Sequence, residues 1–289
     1  MRMEKKNKQQ SGALLLRILI IVIAAAVFLY AGYKMYLYWV EGHKSTQERE
    51  RLAQKAVTVL QPETAPVKPS EAETPDVTEP QQETEPTEPP GPNADLTGTI
   101  PIRVDFEALA EESSSIIGWI YSEGTPINYP IVQGEDNQYY LRKLANGEYN
   151  YGGSIFADFR NTPDLSDRNT LIYGHNLTDD SMFGTLIEYK KQDYYEKRPH
   201  LWILTPEMAY RVDLVAGVVT PSDSDAYTLF ESQEALHSYL ADAVSQSKFQ
   251  SNVDIGSVER IVTLSTCSYE FNAARFVVIG SLVPITYGE

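Results

Sequence analysis

The stretch Arg260-Ile-Val-Thr-Leu-Ser-Thr-Cys-Ser-Tyr-Glu270, with Ala274-Arg-Phe-Val-Val-Ile-Gly280 close behind it, decides how this chain is read. Two runs rich in β-branched residues, Arg260–Thr266 and Arg275–Val283, predict the two strongest strands. Cys267 ends the first run, and seven residues, Ser268 to Ala274, precede Arg275. If the runs pair as a hairpin, the end of one strand faces the start of the next. Cys267 and Arg275 then sit side by side at one rim of a sheet. A guanidinium in that position can lower a thiol pKa or hold a developing oxyanion.

Working outward, shorter strands are expected at Ile116–Tyr121, Asn128–Val132, Ser154–Ala157, Thr170–Tyr173, His200–Leu204 and Ala209–Val219, between Gly, Pro and Asn punctuation. Helices are expected at Asp105–Glu112, Tyr139–Leu144, Met182–Lys191 and Glu231–Ser247. The last carries Leu236, Leu240 and Val244 at four-residue spacing. Many short strands and few helices predict a mainly β fold with added helices, a closed mixed or antiparallel barrel, over residues 95–289.

The residues before this body divide into four segments. Residues 1–12 are short and basic, and 13–40 contain the apolar run Ala13–Tyr33, interrupted only by Arg17. As a helix that run spans about 31 Å, enough for a hydrocarbon core of about 30 Å. Tyr30, Tyr33, Tyr36, Tyr38 and Trp39 cluster at its far end like an interfacial aromatic belt. A cleaved signal peptide has a shorter apolar core and a small-residue cleavage site, so an uncleaved single-pass anchor is expected. The basic end predicts a cytoplasmic N-terminus and an extracellular body. Residues 41–61 form a polar juxtamembrane segment. Residues 62–94 are rich in Pro, Glu and Thr and carry only Ala65, Val67, Ala72 and Val77 as weak hydrophobes. Burial cannot offset the ordering entropy of such a segment, so a disordered linker is expected, either a stalk or a linker with no selected role.

Charge and cysteine usage exclude several functions. The net charge is −16, and residues 96–289 hold 13 Lys/Arg against 27 Asp/Glu. Such a body repels phosphate backbones, so nucleic acid is not an expected partner. One cysteine rules out an internal disulfide framework and Cys-rich metal sites. The zinc-protease His-Glu-x-x-His, the Gly-x-Ser-x-Gly elbow and the phosphate loop are all absent from the sequence, and no cofactor or metal is expected. Asp164, Asp167, Asp179 and Asp180 lack ordered calcium-ligand spacing and read as solvated loops.

Taken alone, Cys267 reads more readily as a small buried hydrophobe. Its place at a strand end in the polar run Ser265-Thr266-Cys267-Ser268, outside the cell, favours a reactive thiol. A thiol nucleophile needs a base or cationic partner. Of the four histidines, His43 is juxtamembrane, His237 lies on an amphipathic helix and His200 opens a strand. His175, in a Gly-His-Asn turn after a strand, is the best candidate. Asn176-Leu177-Thr178 matches a glycosylation acceptor but adjoins this candidate site, and is discounted. Two other readings stay open on the residues alone. One is a non-enzymatic, membrane-tethered β-barrel binding domain. The other is a cell-wall cysteine peptidase, although a papain-like enzyme places its cysteine at a helix start, upstream of the histidine.

Three segments together resemble the sortases, and class B in particular. They are Thr170-Leu-Ile-Tyr-Gly-His-Asn176 with Ser181-Met-Phe-Gly184, then Ile261–Glu270, then Ala274–Gly280, in matching order and spacing. The resemblance implies a closed sortase-type barrel of about eight strands and a membrane-anchored cysteine transpeptidase of Gram-positive type. It implies Cys267 as nucleophile, His175 as acid and base, and Arg275 as the group that positions substrate and stabilises the oxyanion. Ser265, Thr266 and Tyr227 are implied as substrate contacts. The implied partners are secreted proteins with a C-terminal sorting motif and an amine of a cell-wall precursor, lipid-linked peptidoglycan.

Overall fold

The computed structural model describes residues 2–60 and 100–285, without the side chains of residues 2–16 and Tyr38. The segment expected as a linker at 62–94 lies outside the described residues.

The chain opens with α1 (Arg2–Ala56), which takes in the apolar run and the polar residues after it as one helix. Its apolar side chains from Ile18 to Tyr36, and that of Trp39, are exposed. Among the described residues it is the one helix long and apolar enough to cross a membrane. Its last turns behave differently, because Leu52 and Ala56 are buried against the body. Two short strands follow, β1 (Val57–Val59) and β2 (Ile102–Val104), paired antiparallel. The amide of Leu60 donates to the carbonyl of Pro101 at 2.8 Å. The two ends of the segment between them therefore meet on one ladder. The last turns of α1 dock on the body through Leu52 and Ala56, so α1 itself joins the body to the apolar run.

The body is a closed barrel of eight strands, β3 (Ile116–Tyr121), β4 (Asn128–Gln133), β5 (Ile155–Ala157), β6 (Asn169–Tyr173), β7 (His200–Leu204), β8 (Ala209–Pro221), β9 (Ile261–Cys267) and β10 (Ala274–Ile285). They are ordered β10-β8-β7-β3-β4-β5-β6-β9 around the barrel. Most pairs are antiparallel, while β4–β5 and β6–β9 are parallel. Ile120, Ile131, Ile172, Leu201, Val262, Leu264, Phe276 and Val278 fill the interior with no appreciable exposure. Burying a side chain of this size contributes about 1.5–3 kcal/mol.

Three helices lie on the outside: α2 (Phe106–Glu112), α3 (Gln192–Lys197) and α4 (Gln233–Gln246). Ser232 caps α4 by accepting from the Ala235 amide, and the helix buries Leu236, Leu240 and Ala243. The expected helices at 139–144 and 182–191 are 3₁₀ turns, at Tyr139–Leu141 and Gly184–Lys190. Met182 has φ 56°, which a continuous α-helix entering from residue 182 cannot accommodate.

Candidate active site

The site is assembled by two ladders that share β9. In the parallel pair, Tyr173 of β6 stands opposite Ser265 of β9. Cys267 lies two residues beyond Ser265 on the same face of β9, and His175 follows two residues after Tyr173, just past the end of β6. In the antiparallel pair, Arg275 of β10 stands directly opposite Cys267. Adjacent strands are about 4.8 Å apart, so imidazole, thiol and guanidinium come from three neighbouring chain segments. All three line one groove of about 340 Å³.

Cross-links hold this rim in place. The Gly174 amide donates to the Ser265 carbonyl at 3.1 Å, and the Thr266 hydroxyl donates to the Gly174 carbonyl at 2.9 Å. The Asn176 side-chain amide donates to the Cys267 carbonyl at 2.9 Å, so the glycosylation-like Asn has a structural partner. A Cβ on Gly174 would lie 2.5 Å from Ile155 Cδ1 and 2.7 Å from Phe183, which explains a glycine before the histidine. Beyond Cys267, Lys190 Nζ donates to Ser268 Oγ at 3.1 Å and pairs with Glu270. The lysine, with help from Ser268, holds the Glu270 carboxyl down at about 2.

Cys267 is partly exposed. His175 Nε2 hydrogen-bonds the carbonyl of Leu141 at 3.0 Å. A carbonyl only accepts, so Nε2 carries the hydrogen and Nδ1 is the nitrogen left to take one. Burial lowers the His175 pKa from its usual value. The Leu141 carbonyl partly opposes this, and the charge of Arg142 adds to it. An imidazole neutral at physiological pH, in the same groove as a thiol, can accept a proton or pass one on.

Ser265, Thr266 and Tyr227 also line the groove. The Thr266 hydroxyl is already committed to Gly174, whereas Ser265 Oγ and Tyr227 Oη lie 2.8 Å apart across the groove wall. The other histidines lie elsewhere. His237 Nε2 bonds the Val258 carbonyl at 2.8 Å, His200 stands edge-on to Trp202, and His43 stands edge-on to Trp39 on α1. Asp164 and Asp179 accept hydrogen bonds from the Ser166 and Ser181 amides, and Asp167 accepts from Thr162, so these carboxylates serve local turns.

The sequence reading missed the far wall of the groove. Asp158, just beyond β5, is fully buried, and burial alone would raise its pKa. Hydrogen bonds outweigh that and hold it at about 2: the side chain and backbone of Arg160, the Tyr173 hydroxyl and the Asn137 amide all donate to it. Tyr173 stacks on Tyr227 with ring centres 6.1 Å apart. An acid and a base two apart at a strand end, Asp158-Phe159-Arg160, was the available signal.

Residues 120–283 match the sortase domain family. Sortase B of Staphylococcus aureus is 34% identical over 188 residues, covering 64% of this chain and 77% of that protein. Sortase B of Listeria monocytogenes is 36% identical over 185 residues, covering 63% and 75%. Among solved structures, the Staphylococcus aureus sortase B–substrate complex superposes with a TM-score of 0.59 at 32% identity, covering 63% of this chain and 85% of that one. With a closed eight-stranded barrel and a cysteine at the rim, the chain belongs to the sortase family and is a class B cysteine transpeptidase.

Proposed function

We propose that this transpeptidase cleaves a C-terminal sorting motif of secreted proteins and transfers them to an amine of a cell-wall precursor, with Cys267, His175 and Arg275 as its catalytic residues. The observation that carries the reading is the register: Arg275 opposite Cys267 on one side, and β6 running into His175 on the other, around one groove.

In the first half-reaction the Cys267 thiolate attacks the carbonyl carbon of the motif's threonine. The carbonyl π electrons move to oxygen, and the oxyanion forms where the Arg275 guanidinium can meet it. The intermediate collapses, the C–N bond breaks, and His175 gives its proton to the departing amine. The product is a thioester on Cys267. In the second half-reaction an incoming amine attacks the thioester carbonyl, His175 takes the amine's proton, and the new amide leaves as Cys267 regains its thiolate. The thioester keeps the acyl group activated, so no nucleotide is needed. We place the N-terminus in the cytoplasm, α1 across the membrane and the barrel outside.

The test is transfer of a sorting peptide to an amine by the full-length chain. Cys267→Ala is expected to abolish both transfer and a trappable thioester while leaving the unfolding midpoint unchanged. Transfer that survives in Cys267→Ala overturns the nucleophile assignment. Hydrolysis without transfer at any amine concentration overturns the acceptor half of the reading.

A further inference from the structure

Between β4 and β5, residues 139–153 carry a face that the transfer reaction does not use. Tyr149 is 59% exposed, and Tyr151 is exposed close by. In the β9–β10 connection, Tyr269 is 81% exposed. Tyr151 and Tyr269 line one cleft of about 470 Å³ together with Gly42, Ser45, Thr46 and Arg49 of α1. The one carboxylate lining it, Asp179, is engaged by the amide and hydroxyl of Ser181. The Asn150 side-chain amide donates to the Glu41 carbonyl at 2.7 Å. Glu41 is two residues past Trp39, about 3 Å along the helix axis. Tyr36 and Trp39 are the exposed end of the aromatic belt on α1. The polar layer of a bilayer is about 5–7 Å deep on each side of the hydrocarbon core. With Trp39 at its inner edge, Asn150 meets α1 inside that layer, and Tyr149 and Tyr151 flank Asn150. Cations stand there too: the Arg142 guanidinium lies 4.4 Å from the Tyr151 ring centre, and Lys143 Nζ 5.8 Å from that of Tyr139. The loop holds these two against one acid, Glu148, in a body that is otherwise strongly acidic. Aromatic rings among basic side chains are the composition that favours a membrane interface.

We propose that Tyr149, Tyr151 and Tyr269 seat the catalytic rim in the interfacial layer of the membrane that α1 crosses, the partner of this face being a lipid surface. The proposal rests on the reading of α1 as a membrane span and adds which side of the barrel meets the lipid. The face is tied to the site by three connections. The Leu141 carbonyl, in the same loop, holds His175 Nε2 at 3.0 Å. Asn176, next to His175, lines the cleft. Tyr269 follows Cys267 by two residues. The face is also continuous with α1. Asn150 holds it at Glu41, and Arg49 Nη1 donates to Tyr129 Oη at 3.0 Å, so the body is attached along about 12 Å of the helix. A lipid-linked acceptor carries its head group in this same layer, beside the rim where the thioester forms.

The test is fluorescence quenching in vesicles of phosphatidylcholine and phosphatidylglycerol that hold the full-length chain. Cys267→Ala removes the native thiol. In that background Tyr149→Cys, Tyr151→Cys and Tyr269→Cys are each labelled with one fluorophore. The control is Asp242→Cys, an exposed position on α4, which packs on β8, three strands round the barrel from β4. Lipid with a nitroxide at its head group is expected to remove roughly half of the signal at the three tyrosine positions, which that layer surrounds, and none at the control. Trp119 and Trp202 are buried in the barrel, so a loss of tryptophan fluorescence to lipid quenchers reports on Trp39. Quenching of Trp39 with the three labels no more affected than the control overturns this proposal and leaves the span intact. An unquenched Trp39 overturns the span itself and removes this proposal with it. Where one of the cysteine variants does not fold, the other two decide: both are quenched, or the proposal fails.

Discussion

At the rim where β6 and β9 end and β10 begins, the side chains proposed for catalysis are placed by backbone ladders. On the flank where α1 docks, side chains are placed by apolar burial. Cys267 and Arg275 are register partners, and His175 follows two residues after the last pair of the parallel β6–β9 register. Leu52 and Ala56, in contrast, pack into a cluster with Ile102, Trp119 and Trp202, ringed by exposed ion pairs of Arg51 and Lys55 with Glu112. A ladder fixes direction within a few tenths of an ångström, which chemistry requires. Burial is non-directional, and it suffices to attach a helix. Substitutions at the two places therefore have different consequences.

The largest effect is expected at the rim. Arg275→Lys keeps the charge but loses the planar fork, and kcat/KM for transfer is expected to fall by about 10²–10³-fold with stability intact. Turnover within a factor of a few would break the claim that rim geometry, and not charge alone, matters. On the flank, Leu52→Ala removes a buried side chain and is expected to cost about 2–5 kcal/mol in denaturant unfolding, while activity per folded molecule stays unchanged. Lost activity in the folded fraction would mean that the flank also positions the groove.

Between these lies the far wall. Asp158 sits at about 2 in the fold against its ordinary 3.8. A depressed carboxylate contributes stability that is fully present above its unfolded value and is lost as pH falls through its folded value. A loss of roughly 1–2 kcal/mol, allowing for solvent screening, is expected between about pH 4 and pH 2, and it should vanish from the pH profile of Asp158→Asn. Identical acid profiles for the two proteins would show that the clamp on Arg160 holds no stability. The smallest effect is expected for Glu112→Gln, which removes the ion pairs to Arg51 and Lys55. Exposed pairs of this kind contribute little, and thermal melts should agree within replicate error. A clear destabilisation would make the flank electrostatic as well as apolar.

Much of the rim was legible in residue order. The β9–β10 hairpin follows from two β-branched runs and a short connection, and it alone brings Cys267 to Arg275. His175 was found by elimination among four histidines, without its partner strand. The β6–β9 pairing joins segments some ninety residues apart in parallel, and no local periodicity encodes it. The clamp of Asp158 on Arg160 was missed for a similar reason. A strand-end acid and base read as solvated until Tyr173 and Asn137 arrive from elsewhere to bury the acid. The 3₁₀ helix at Gly184–Lys190 reads from sequence as part of an α-helix from Met182, because its composition matches one; the left-handed backbone at Met182 excludes that start.

Composition and local pattern were enough to establish an apolar helix at the N-terminus, a mainly β body, and one thiol at a strand end beside an arginine. These are properties of neighbours along the chain, where side-chain period and propensity act directly. The parallel pairing of β6 with β9, the meeting of β1 with β2 and the second arginine of the groove came only with the tertiary structure. Each depends on a contact between distant segments, and such a contact forms only when the whole core is buried at once.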